Sequence, residues 1–227
     1  MSELPSAVIF DFDGVIVDST SYNRASINKL LEPHGFTTMD LRDSHGESHR
    51  GQSLRDILGK ATVKYGVHFN VEDFSKAAGE IGFKMMQQDG KLEPDAHLVR
   101  FIDDLHRQGV LLGLGSSSMR WRVDRILGLF KLEGFFPVVV AAEDVSEHKP
   151  NPHIFLEVAN RLAVSPASCL VVEDAPSGIQ AAQRAGMKVV GFTGFGATSD
   201  SLSKADMLFN SFSELSWTKL HKLYSHV

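Results

Sequence analysis

Asp11 and Asp13 stand two residues apart directly after a short apolar run, Ala7-Val8-Ile9-Phe10, and Gly14 follows them. Three other apolar runs end the same way. Val110 to Leu114 leads to Ser116-Ser117-Ser118, Val138 to Ala141 to Glu147-His148-Lys149-Pro150, and Leu170 to Val172 to Glu173-Asp174. Singly, each group has an ordinary explanation. Asp-x-Asp-Gly favours turns, a serine triplet caps helices (with Ser118 a candidate N-cap), Lys-Pro is surface chain, and Glu-Asp complements a helix dipole. Their joint occurrence, in order and each at a strand end, argues for chemistry instead.

Sites in open α/β sheets form outside the carboxyl ends of the strands. Asp11, Asp13, Glu173 and Asp174 are therefore expected to converge there, where like charges repel. A hard divalent cation relieves that repulsion, and an all-oxygen set without a Cys or His cluster favours magnesium over zinc. Lys149 and the Ser116 hydroxyl supply donors for phosphate oxygens, with Ser117 a candidate substrate contact. Phosphoryl transfer consists largely of such positioning and charge neutralisation. Asp11, at the end of a rigid strand, is the candidate nucleophile, since an aspartate can form an aspartyl-phosphate. Asp13 is placed to protonate the leaving oxygen and later deprotonate water, and its carbonyl is a further candidate metal ligand.

These groups need a scaffold, and the chain supplies its pattern. Strand-like runs, continued by Lys188 to Phe192, alternate with helical stretches over Asp95–Arg107, Met119–Leu129, Ile154–Leu162 and Ile179–Ala185. That alternation predicts βαβ units and a doubly wound, Rossmann-like parallel sheet. Residues 18–92 read differently, with helix-period patterns continuing from Leu54 and Phe74 and no clear strand between them. They are expected to form an all-helical insertion that returns through Leu92-Glu93-Pro94. The expected division is thus a core of residues 1–17 and 93–227 and a helical cap of residues 18–92.

With 227 residues, 43% of them hydrophobic and 22% charged, the composition is that of a globular protein. A net charge of −5 gives no reason to expect nucleic-acid binding. No run approaches the roughly 18 apolar residues of a membrane span, and no signal peptide is visible. Cys169 is the single cysteine and reads as a packed thiol, so a reducing cytoplasm is expected.

The motifs together resemble the haloacid dehalogenase-like hydrolase superfamily, in its helical-cap phosphatase and β-phosphoglucomutase branch. The resemblance rests on Asp11-Phe12-Asp13-Gly14-Val15-Ile16-Val17-Asp18-Ser19, on Ser116, on Lys149-Pro150-Asn151-Pro152, and on Val171-Val172-Glu173-Asp174-Ala175-Pro176-Ser177-Gly178-Ile179. It implies Asp11 as nucleophile, Asp13 as acid/base, and magnesium held by Asp11, the Asp13 carbonyl and Asp174, with Glu173 acting through a metal-bound water. Dehalogenating members lack the second aspartate, so Asp13 argues against dehalogenation. Phosphonatases use an imine-forming cap lysine, and Lys60, Lys64, Lys76 and Lys84 read instead as helix-face charges. The β-phosphoglucomutase branch carries a histidine where this chain has Asn23. An amide cannot replace its proton transfer, so phosphatase is favoured over mutase. His148 and His153 depart from the usual Gly and Asp of relatives at positions without catalytic chemistry.

Substrate choice is expected from the cap. In His45-Gly46-Glu47-Ser48-His49-Arg50-Gly51-Gln52, Arg50 suits a second anionic group, and Glu47, His49 and Gln52 suit sugar hydroxyls. Asn23 is a further candidate contact. Phe36, Phe69, Phe74 and Phe83 read as the cap's own core. The expected partner is a small phosphorylated sugar or sugar acid, with the chain acting as a monomer or small homo-oligomer. The alternatives are a sugar phosphomutase, a receiver-type domain phosphorylated on aspartate, whose motif order differs, and a non-catalytic binding relative.

Overall fold

The computed structural model describes residues 5–41 and 54–224. The chain divides into two compact units, one of Met1–Asp18 with Leu92–Val227 and the other of Ser19–Lys91.

In chain order, β1 (Ala7–Phe10) is followed by α1 (Thr20–Leu31), α2 (Leu54–Tyr65) and α3 (Val71–Gln88). Then come α4 (Ala96–Arg107), β2 (Leu111–Gly115), α5 (Arg120–Phe130), β3 (Val138–Val140), α6 (His153–Arg161), β4 (Cys169–Glu173), α7 (Pro176–Arg184), β5 (Lys188–Phe192), β6 (Met207–Phe209) and α8 (Trp217–Tyr224). The sheet order is β3-β2-β1-β4-β5-β6, and every pairing is parallel. This is the doubly wound arrangement the alternating pattern predicts. The strand order reverses between β1 and β4, which puts the crevice at their carboxyl ends.

β1 is apolar throughout because it is covered on both faces, the usual condition of a central parallel strand. Ala7 and Ile9 join Cys169, Val171 and Val189 in a core filled by Phe155 and Val158 of α6 and Ile179 and Ala182 of α7. Phe10 faces the opposite way, edge-on to Phe101 of α4 and to Phe136. Cys169 is buried as expected, its thiol pushed up to about 11 by burial.

α4 buries Leu98, Phe101, Ile102 and Leu105, the spacing of one helix face. It begins at Asp95, whose carboxylate accepts from the Leu98 N–H at 2.8 Å. β6 and α8 were not legible in the sequence. β6 is a three-residue edge strand, too short to show a period.

The Ser19–Lys91 unit has its own core of Leu31, Phe36, Leu41, Ile57, Leu58, Ala61, Phe74 and Ala78, against which Phe69 packs. Phe83 is buried as well, and Phe36 stacks on Tyr65 at 4.2 Å. These phenylalanines are packing residues, as predicted. Lys64, Lys76 and Lys84 are exposed and Lys60 is half-buried.

Among the described residues no helix is long and apolar enough to cross a membrane. Asp95→Ala removes the cap of α4 and is expected to lower stability by about 1 kcal/mol, read as a shift in urea midpoint at unchanged slope.

Candidate active site

Asp11 follows β1 directly, and its N–H donates to Val172 O of β4 at 2.9 Å. The register that pairs Phe10 with Leu114 and Val172 therefore carries Asp11 up to Gly115 and Glu173 at the switch point. Lys149 enters from the loop before α6, and the Lys149–Pro150 peptide is cis. Its side chain is only 7% exposed. The ammonium pairs with an Asp11 oxygen, with Glu173 Oε2 at 2.8 Å and with Gly115 O at 3.2 Å. It also lies 4.6 Å from the Phe155 ring centroid, so its three donors are matched and its remaining face meets an aromatic ring.

Asp11, Glu173 and Asp174 are buried, and one ligand oxygen from each lies within 4.8 Å of the others. Burial, then the Glu173 charge, raises the Asp11 carboxyl well above the ordinary carboxylate range, against the pull of Lys149, and Asp174 adds to the rise. Burial opposes the Lys149 charge too, but Asp11 and Glu173 outweigh it and hold that pKa above its usual value. Three carboxylates against one ammonium leave an excess of two negative charges among these four groups. An all-oxygen set with that excess fits a hard divalent cation of the magnesium type.

Two glycines make the cluster possible. Gly14 has φ +86°, and a Cβ there would sit 2.2 Å from Asp174 Oδ2. A Cβ on Gly178, in the first turn of α7, would sit 2.0 Å from Glu173 Cδ. Glu173 Oε1 also accepts from the N–H groups of Asp174 at 3.2 Å and Ala175 at 3.1 Å, which anchors it at the start of α7.

Ser116 is buried at the end of β2, its N–H on Val140 O at 2.9 Å and its Oγ accepting from Ser118 N at 3.0 Å. Ser117 is exposed. Ser118 is not the N-cap of α5, because Met119 holds that position and Glu143 accepts from the Arg120 N–H at 3.1 Å. Its hydroxyl turns instead to Asp13. The Asp13 carboxylate is bound by Arg122 Nη1 at 2.7 and 2.9 Å, a partner the sequence reading missed. Arg122 follows Ser118 by four residues, but nothing in that spacing singles it out from Arg120 or Arg125.

The structure thus brings together Asp11, Ser116, Lys149, Glu173 and Asp174 at the sheet edge. Asn23 lies in the first turn of α1 in the other unit, its Nδ2 donating to Ser19 Oγ at 3.4 Å. Glu47, His49 and Arg50 lie outside the described residues, as does the whole segment from His45 to Gln52.

Residues 8–192 match the haloacid dehalogenase-like hydrolase family, and the chain belongs to it. Within the family it is a phosphohydrolase of the β-phosphoglucomutase-like branch. It is similar to the β-phosphoglucomutase of Bacillus subtilis (strain 168), 32% identical over 95% of this chain and 94% of that one. It is also similar to the fructose-1-phosphate phosphatase of Escherichia coli (strain K12), 31% identical over 84% of this chain and 97% of the relative. The crystal structure of β-phosphoglucomutase from Clostridium difficile shares its fold, with a TM-score of 0.80 at 24% identity over 98% of both chains.

Gly14→Ala forces Asp174 away, and Gly178→Ala forces Glu173 away. Both should abolish phosphatase activity in protein whose circular dichroism still shows the fold. A second prediction concerns pH. A carboxyl whose folded pKa is raised contributes stability below its unfolded pKa and loses it as pH rises through the folded value. Without divalent cation, Asp11→Asn should therefore melt higher than wild type at about pH 7.5, the gap closing towards about pH 4. Equal melting temperatures at both pH values would contradict the raised Asp11 carboxyl.

Proposed function

We propose that the protein is a magnesium-dependent phosphatase of small phosphorylated metabolites, sugar or sugar-acid phosphates in class, working through an aspartyl-phosphate on Asp11. The observation that carries this reading is Asp11 at the end of β1, flanked by the Lys149 ammonium and the Glu173 and Asp174 carboxylates.

In the first half-reaction an Asp11 carboxylate oxygen attacks phosphorus. The bond from phosphorus to the substrate oxygen breaks, and Asp13 donates a proton to that departing oxygen. In the second half, water attacks the aspartyl-phosphate, Asp13 takes its proton, and inorganic phosphate leaves with the Asp11 carboxylate restored. Lys149 offsets charge on Asp11 and on the phosphoryl oxygens, and the buried Ser116 hydroxyl is available to donate to one of them. Asp11, Asp174 and the Asp13 carbonyl would hold magnesium, with Glu173 beside it. The bound ion supplies neutralisation of the phosphoryl charge.

Specificity is assigned to the Ser19–Lys91 unit, with Arg50, His49, Glu47 and Asn23 as candidate contacts and Ser117 as a core contact. The fructose-1-phosphate phosphatase relative supports a sugar phosphate as substrate. Asn23 argues against a mutase, since its amide has no titratable proton to relay.

The test is inorganic phosphate release from a panel of sugar and sugar-acid phosphates with magnesium or with EDTA. Release should require magnesium and fall by on the order of a thousandfold or more in Asp11→Asn. Isomerised sugar phosphate in place of inorganic phosphate would replace this reading with a mutase.

A further inference from the structure

Arg122 is a charged residue inside the core, 3% exposed on the inner face of α5. A guanidinium does not give up its charge in a protein, so burial on this scale requires a fixed partner. That partner is the acid/base candidate Asp13. Nη1 donates to both carboxylate oxygens, at 2.7 and 2.9 Å, and to Ser118 Oγ at 2.8 Å. Ser118 in turn donates to Asp13 Oδ2, closing a triangle of three side chains. The guanidinium carbon lies 5.7 Å from the centroid of the Phe12 ring, which backs it on the neighbouring residue.

The pair is lopsided in its exposure. The Arg122 side chain is 4% exposed and that of Asp13 is 23% exposed. The guanidinium therefore grips the carboxylate from the protein side and leaves the accessible side to Asp13. Contacts at both oxygens restrict the Asp13 side chain about χ1 and χ2 and so fix where it stands.

We propose that Arg122 is a positioning residue for the reaction, acting through Asp13 and assisted by Ser118. It touches no reacting atom. It fixes the orientation in which Asp13 meets the leaving oxygen, and it rests on the reading of Asp13 as general acid given above.

Leaving-group chemistry separates this role from a structural one. An alkoxide leaves from phosphorus only with a proton, whereas p-nitrophenolate leaves as the anion. The ratio kcat/KM reports the enzyme up to the first irreversible step, so it isolates the half-reaction in which Asp13 is the acid. The experiment measures kcat/KM for the best sugar phosphate of the panel and for p-nitrophenyl phosphate, both with magnesium, in wild type, Arg122→Met, Ser118→Ala and Asp13→Asn.

Arg122→Met is expected to lose about 10- to 100-fold on the sugar phosphate, the scale of a misplaced catalytic group. Its loss on p-nitrophenyl phosphate should be smaller by at least about tenfold, because general-acid help is the part removed. Ser118→Ala deletes only a hydroxyl and should show the same selectivity more weakly, and it carries the test if Arg122→Met does not fold. Equal losses on both substrates, or none, beside a selective loss in Asp13→Asn, would overturn the positioning role and leave Asp13 as the acid. Equal losses in Asp13→Asn itself would overturn the acid assignment and this proposal with it.

Discussion

The site depends on one ammonium. Lys149 is the cation between Asp11 and Glu173, and without it three buried carboxylates would face one another in a medium that screens charge poorly. Its own burial is tolerable because every donor has an acceptor and the remaining face lies against Phe155. Phe155 belongs to α6, which also packs on the sheet core, so the helix that covers the strands is the one that backs the charge centre. Packing and electrostatics are carried by the same residue.

A second ion pair, between Arg122 and Asp13, stands beside the first and differs in kind. Lys149 works where charge is crowded and offsets part of the repulsion. Arg122 instead holds the Asp13 carboxylate through Nη1, which contacts both of its oxygens. The two aspartates of one short motif thus receive opposite treatments. Asp11 is enclosed, with its carboxyl raised by burial and by neighbouring charge, while the Asp13 side chain is held by Arg122 and stays partly exposed.

The strands of the core were legible because central parallel strands are apolar on both faces and end in distinctive polar groups. Ala7–Phe10 and Cys169–Glu173 are of this type. Asp11, Glu173 and Asp174 were legible for the same reason, since each lies at or just beyond a strand end. Lys149 stands in the loop before α6 and was legible from the Lys-Pro motif around it. β6 was not, because three residues at an edge carry no period. Ser118 was only a candidate cap, because a serine before a helix signals capping whether or not another side chain captures its hydroxyl first. Arg122 was hidden for a deeper reason. A charged residue in an amphipathic helix is read as solvated, and only tertiary structure reveals that Asp13, more than a hundred residues earlier in the chain, waits on the buried side.

The pairing of β1 has a consequence for how the chain is made. Ala7 finds its neighbours in Leu111 on one side and Cys169 on the other, both from much later segments. β1 is thus the first strand of the sheet to be synthesised, and both of its partners are made well after it. At ordinary rates of translation it waits on the order of 10 s before its first partner emerges. During that interval Ala7-Val8-Ile9-Phe10 is an unpaired hydrophobic segment, while the described core residues of the Ser19–Lys91 unit, Leu31 to Ala78, are all synthesised. Docking of β1 therefore has to wait for residues beyond 91, and the helical unit is free to fold ahead of the sheet.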